Sequence, residues 1–304
     1  MNKDKYKKSF PFYGWTGFLL IIVFWYLNWF LTGLRTDWAF FPLWLGFCLA
    51  ADALVYTRKG TSLIHRSIKK FILLFVISAP VWWLFELFNS FTQNWFYDGR
   101  QYFTDLQFFI LASISFSTVI PAVFEAAELA GTFKWIRNLK TYKRLEPTVS
   151  VARIFFFLGI LTLVLEIIFP KVFYPLIWIT VYFLVEPVNI KMKNRTLLHY
   201  IHKGNWKPVA ALWIGCLICA SFWEMWNYYS YPKWTYTLPM VNFLHVFEMP
   251  LLGYIGYLPF SLELFAVYNS INGIFGKGKD DYISFQDKIR KEEVIRIKEP
   301  GNIL

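Results

Sequence analysis

The chain has 304 residues, 57% of them hydrophobic and 22% aromatic, with a formal net charge of +11. Such a composition excludes an ordinary soluble globular domain and points to a membrane protein. The basic residues fall in short clusters between apolar segments, which accounts for the charge without nucleic acid, and Cys48, Cys216 and Cys219 all lie in apolar runs, so there is neither a disulfide framework nor a metal-ligand set.

A helix needs about 20 mostly apolar residues to cross the hydrocarbon core. In chain order the spans expected are Gly14 to Leu34, Asp37 to Thr57, Phe71 to Thr92, Asp105 to Ala130, Val151 to Phe169, Phe173 to Ile190, Pro208 to Ser230 and Val241 to Tyr268. The first follows a basic N-terminus as a signal peptide would, but it is long, tryptophan-containing and lacks a small-residue cleavage site, so it reads as a retained span. The fold class is therefore all-α, a polytopic membrane protein of about eight transmembrane helices.

The connections alternate in charge. "RKGTSLIHRSIKK", "KWIRNLKTYKR" and "KMKNRTLLHYIHKGNWK" are basic, whereas "RTD", "QNWFYDGRQYFT", "PKV" and "YPKWTYTLP" are nearly neutral. Basic loops stay in the cytoplasm, which places both termini there, in a bacterial-type plasma membrane. The domain plan is a basic cytoplasmic N-terminus (1–13), a first four-helix repeat (14–130), a basic linker (131–150), a second four-helix repeat (151–268) and a solvated cytoplasmic tail (269–304). Trp15, Trp38, Trp95, Trp178, Trp206 and Trp234, near span ends, read as headgroup anchors. Trp82, Trp83, Trp213, Trp223 and Trp226 lie deeper, where their indole N–H groups need polar partners.

The word "repeats" rests on rare polar residues. Glu86 and Asn89 in "FELFNSFTQNWFY" recur as Glu224 and Asn227 in "WEMWNYYSYPKWTY", at an offset of 138. The same offset carries Pro121 to Pro259 and Glu125 to Glu263. An offset of 134 carries Asp52 to Glu186 and His65 to His199. An ordered series of such matches across four spans indicates internal duplication. An even number of spans per half sets the halves parallel, about an axis along the membrane normal.

Acids inside spans are costly and face a protein interior or a wet cavity. Glu86 and Asn89, three positions apart, share a helix face. Two layers are expected: an outer one of Glu86 and Glu224, oriented by Asn89 and Asn227, and an inner one of Asp52, Glu186, Glu125 and Glu263. Such acids can serve as hydrogen-bond donors or general acids, or as interhelical glue. His245 and Glu248 have no counterpart in the first half, since 248 − 138 falls on Ile110, and mark where the second half would specialise. Pro80, Pro121, Pro187, Pro250 and Pro259 can kink their spans.

No HExxH, P-loop or GxGxxG pattern occurs. His199 and His202 lie in a basic loop, and neither a metal nor a cofactor is expected. A cavity lined by tryptophan and phenylalanine suits an apolar ligand oriented by a few buried polar groups. The leading reading is binding or acid-catalysed modification of a lipid-like or isoprenoid molecule. Glu86, Glu224, Glu125 and Glu263 would be its acids; Asn89, Asn227, Trp83, Trp223, Trp226, His245, Glu248, Asp52 and Glu186 would line the substrate site. Membrane lipids are the expected partners, and nothing bears on oligomeric state. The alternatives are a proton-coupled transporter, since acids at two depths suggest a relay, and a structural subunit of a membrane complex.

At "NWFY" (Asn94 to Tyr97) and "PAVFE" (Pro121 to Glu125) the chain resembles the small membrane-embedded lycopene cyclases of the heterodimeric or fused type. They share tandem halves, a W-x-Y-like loop after an acid-bearing span, and a proline-linked acid in the next span. In that family the proline-linked acids are doubled and closer together. The resemblance implies protonation of an isoprenoid by an acid, with aromatic faces stabilising the carbocation, and assigns the acid role to Glu125 and Glu263.

Overall fold

The computed structural model describes residues 8–140 and 148–285. Thirteen helices occur among them: α1 (Phe12–Phe30), α2 (Thr36–Lys59), α3 (Leu63–Arg66), α4 (Ile68–Thr92), α5 (Asp105–Phe116), α6 (Val119–Gly131), α7 (Lys134–Arg137), α8 (Val149–Ile168), α9 (Pro170–Phe173), α10 (Ile177–Lys191), α11 (Leu197–His202), α12 (Lys207–Tyr228) and α13 (Tyr257–Ile274). Four short strands accompany them: β1 (Trp95–Asp98), β2 (Lys233–Tyr236), β3 (His245–Val246) and β4 (Met249–Pro250). Among the described residues eight helical segments are long and apolar enough to cross a bilayer, α5–α6 counting as one, α9–α10 as another and α13 with the turn before it as a third. The architecture is all-α and polytopic.

The spans pack in order. α1 lies on α2 and α8 on α10; α2 meets α6 as α10 meets α13; α4 meets α6 as α12 meets α13; and α12 also packs on α6 at the centre. Small residues set the closest crossings. A Cβ on Gly215 would lie 2.5 Å from the Ala127 Cα, and one on Gly17 2.7 Å from the Gly46 carbonyl, the close approach expected where helices associate without a hydrophobic drive between them. α1 and α8 bury only Gly14, Gly17 and Asn28, and Gly159, Thr162 and Glu166, respectively. They form the apolar flanks.

Helix ends follow local rules. Ser62 accepts from the His65 amide to start α3, Ser67 from Lys70 to start α4, and Thr196 from His199 to start α11. Thr104 and Gln107 form a capping box at α5. The fourth span breaks at Ser117–Thr118 because Pro121 can neither donate to nor clear the carbonyl four residues back. Ser78 Oγ bridges the gap, donating to the Phe116 carbonyl at 2.6 Å and accepting from the Ile120 amide at 3.0 Å.

Two expectations are corrected here. The last span does not begin at Val241: residues 245–250 form the β3–β4 hairpin, followed by a 3₁₀ turn at Leu251–Gly256, so Pro250 kinks no helix. Nor is the segment after Asn269 solvated throughout. α13 runs on to Ile274 with Asn269 and Asn272 buried, and Tyr282, Ile283 and Phe285 are buried too. Three apolar side chains can dock although the segment as a whole is polar, because Glu128 accepts the Ser284 amide at 2.7 Å and Lys59 donates to the Ser284 carbonyl at 2.6 Å. The rest of the tail (286–304), the first seven residues and part of the basic linker lie outside the described residues.

Candidate functional site

One face carries the basic connections, including α3, α7 and α11. The opposite face carries a two-stranded antiparallel ribbon in which β1 pairs with β2, Trp95 opposite Tyr236 and Tyr97 opposite Trp234. Two asparagines hold this ribbon to the ends of α4 and α12. Asn89 Nδ2 donates to the Trp95 carbonyl at 2.8 Å and its Oδ1 accepts the Trp95 amide at 3.2 Å. Asn227 does the same to Trp234, at 2.7 and 2.9 Å. Asn89 and Asn227 thus orient the ribbon, and the ribbon in turn supplies donors to the acids.

Glu86 Oε1 accepts the Trp82 indole at 2.9 Å, the Trp95 indole at 3.0 Å and the Tyr97 hydroxyl at 2.5 Å. Glu224 Oε1 accepts the hydroxyls of Tyr236 at 2.7 Å and Tyr257 at 2.8 Å. Its Oε2 is buried with no hydrogen-bond partner among the described residues. Both acids stand within the last two turns of their helices, so they share one depth beneath the ribbon. On the ribbon, burial and then the facing carboxyls raise the Tyr97 and Tyr236 phenols well above their ordinary value, which keeps them as protonated donors.

A cavity of about 410 Å³ opens above this layer, lined from both halves of the chain. Trp82, Trp95, Trp178, Trp223 and Trp234 contribute to its wall together with the phenols of Tyr97, Tyr236 and Tyr257. The rings form a continuous surface: Trp95 stacks on Trp178 with centroids 5.9 Å apart, and Trp82 lies 5.8 Å from Phe116. Charged side chains in the wall are few, namely Asp37, Arg100 and Lys233. The arrangement can enclose an apolar body and present hydrogen-bonding groups to its polar end.

Glu86 and Glu224 are not themselves in the wall; they lie behind the phenols and indoles. Trp83 donates to Ser113 Oγ at 2.9 Å and stacks on Phe109, away from the cavity. Trp226 is fully buried against Trp44, its carbonyl accepting Asn28 and Trp29. Contrary to expectation, the indole nitrogens of Trp213 and Trp226 have no partner among the described residues. Of the tryptophans expected as anchors, Trp95, Trp178 and Trp234 belong to the cavity wall, whereas Trp15 and Trp38 are exposed. His245 is exposed beside Asn242, and Glu248 is paired with Lys233.

The inner acids perform separate tasks. Asp52 accepts the Ile64 amide at 2.9 Å and the Tyr13 hydroxyl at 2.6 Å. Glu186 accepts the Leu198 amide at 3.3 Å and the Leu197 amide at 2.9 Å. Each therefore pins a short helix of the basic face. Glu263 accepts the Val181 and Tyr182 amides of α10 at 3.0 and 3.4 Å. Glu125 is fully buried near Asp52. None of the four lines the cavity. On α11, partial desolvation and then Lys203 and His202 lower the His199 pKa although the residue is exposed, so it stays neutral more readily than a free histidine.

Asp37, Asn94, Arg100, Tyr97, Tyr236 and Tyr257 were not singled out from sequence. The W-x-Y spacing shared by "NWFY" and "KWTY" was the signal for two of the phenols. Glu166 is a further intramembrane acid without a counterpart among the repeat matches: it is buried in α8 and accepts from Thr180 Oγ1. An acid in an otherwise apolar run was its mark.

No protein-family model, curated protein or solved structure matches the chain at a significant level.

Proposed function

We propose that this multi-pass membrane protein binds a hydrophobic, lipid-like or isoprenoid molecule in the cavity beneath the β1–β2 ribbon. The observation that carries the reading is the wall itself: five tryptophans among mostly apolar side chains around about 410 Å³, with donors held in place by Glu86 and by the buried Glu224. Enclosed apolar volume with a few fixed polar groups is the usual form of a small-molecule site. In this reading Glu86 and Glu224 are positioning residues, and the groups that touch the ligand are the indoles and phenols they hold. The basic face lies in the cytoplasm, as loop charge favours, so the cavity sits in the opposite leaflet, within reach of lipid.

The two halves, in our reading, descend from one duplicated four-helix unit. Support comes from hydrogen bonds that recur in both halves, at an offset of 134 for the inner acids and, for the clasps, of 138 at the asparagine and 139 at the tryptophan. Asn89 and Asn227 clasp Trp95 and Trp234, and Ile64 and Leu198 donate to Asp52 and Glu186. The ribbon maps onto itself under the exchange, since an offset of 139 carries the Trp95–Tyr236 pair onto Trp234 and Tyr97. A ligand at this centre meets one copy of the clasp from each half.

The test is photocrosslinking of the protein in nanodiscs with a diazirine-bearing isoprenoid. The reading expects adducts on Trp82, Trp178 or Tyr257, competed by unlabelled isoprenoid. Adducts confined to the lipid-facing residues of α1 and α8 would overturn it.

A further inference from the structure

We infer, resting on the reading that the cavity holds an amphiphile, that the ligand's polar end is a hydrogen-bond donor, a hydroxyl or an amine, rather than a phosphate or carboxylate. The polar atoms around the cavity divide unevenly. Its cations are engaged: Arg100 donates Nη1 to the Phe103 carbonyl at 2.7 Å and Nη2 to Asp105, and Lys233 is paired with Glu248. The Tyr236 and Tyr257 hydroxyls spend their protons on Glu224, which leaves phenolic lone pairs.

Two acceptors are not engaged. Asn94 Oδ1 and Asp37 Oδ1, both in residues of the cavity wall, are buried with no hydrogen-bond partner among the described residues. Asn94 is 3% exposed, and its orientation is determined. Nδ2 donates to the Thr237 carbonyl at 3.1 Å and the Thr237 amide returns to the Asn94 carbonyl at 2.8 Å, so Oδ1 is the atom left over. A buried oxygen of this kind is costly until something donates to it. A head with O–H or N–H groups satisfies these atoms. A phosphate adds more acceptors, faces Asp37, and finds both cations taken. Phe40 and Trp234, whose ring centroids are 5.8 Å apart in the same wall, also suit an ammonium by their π faces.

The experiment measures binding of four sixteen-carbon probes, the alcohol, the amine, the alkane and the monophosphate ester, to the full chain in nanodiscs, for wild type, Asp37→Ala and Asn94→Leu. We expect the alcohol or the amine to bind about tenfold tighter than the alkane and the phosphate ester, as one or two added hydrogen bonds would give. That advantage should shrink in the variants. Preference for the amine, lost in Asp37→Ala, assigns the contact to Asp37; preference for the alcohol, lost in Asn94→Leu, assigns it to Asn94. Because Asn94 also ties the ribbon, Asp37→Ala keeps the test decisive if Asn94→Leu does not fold. Phosphate binding as tight as alcohol overturns the inference, as does equal binding of alcohol and alkane, and in both cases the cavity reading stands. Failure of all four probes to bind overturns both.

Discussion

Asn89 and Asn227 each close a two-bond clasp on the backbone of a tryptophan, Trp95 and Trp234, and so fix the ribbon over the two acids. Replacing Asn227 by leucine leaves a backbone N–H and a carbonyl without that partner, and replacing Asn89 strands the Asn94 amide as well, at a cost of about 1–3 kcal/mol for each group. The loss per group should be larger for Asn227, which is 1% exposed. Thermal unfolding in detergent checks this; equal melting of wild type and Asn227→Leu would contradict the clasp.

Ser78 is the staple of the broken fourth span. Ser78→Ala removes a donor from the Phe116 carbonyl and an acceptor from the Ile120 amide in a site that is 1% exposed. A loss of about 2 kcal/mol is expected. Amide exchange should rise at Ile120 while the ends of α5 and α6 remain protected; unchanged exchange there would argue against the staple.

Glu128 gathers Arg66, Lys59 and the Ser284 amide at a point where its own side chain is 0% exposed. Glu128→Gln leaves two cations without a counter-charge, at about 3 kcal/mol, and should release the segment carrying Tyr282, Ile283 and Phe285. Faster tryptic cleavage after Lys277 or Lys279 reads this out directly. Cleavage at the wild-type rate would mean the segment is held by its apolar side chains alone.

Tyr97 and Tyr236 carry a pH prediction. Their folded pKa values are raised above the ordinary value of about 10 by burial and then by the facing carboxyls. Their contribution to stability is therefore complete below about pH 10 and is lost as pH rises beyond it, because the unfolded chain releases those protons first. In an alkaline titration these phenolates should appear only together with loss of helical circular dichroism. Ionisation of all 18 tyrosines as one wave with the helices intact would contradict it.

Much of the frame was legible because a bilayer imposes long apolar runs, and eight of them are present. The acid–amide pairs stood out for the same reason: Glu86, Asn89, Glu224 and Asn227 are rare residue types inside such runs. What they do was not legible. Asn89 was expected to orient Glu86, yet it grips the Trp95 backbone, and only the register of β1 against β2 reveals that an indole and a phenol reach the carboxyl instead. The hairpin at 245–250 was absorbed into a span because its apolar residues continue the hydropathy of α13 without its periodicity. Tyr282 and Phe285 went unnoticed because two rings in a mixed-charge tail carry no pattern of their own; their place depends on Glu128, far away in sequence.

If the cavity under the ribbon holds an apolar ligand, filling the cavity must displace it. Ala112 lines the cavity and is 8% exposed, so Ala112→Trp occupies part of the space while leaving the ribbon, its clasps and both acids untouched. Mass spectrometry of the molecules that copurify in mild detergent should then find a specific lipid or isoprenoid with the wild type that is depleted in Ala112→Trp of equal melting temperature. Identical profiles from the two proteins would contradict the claim.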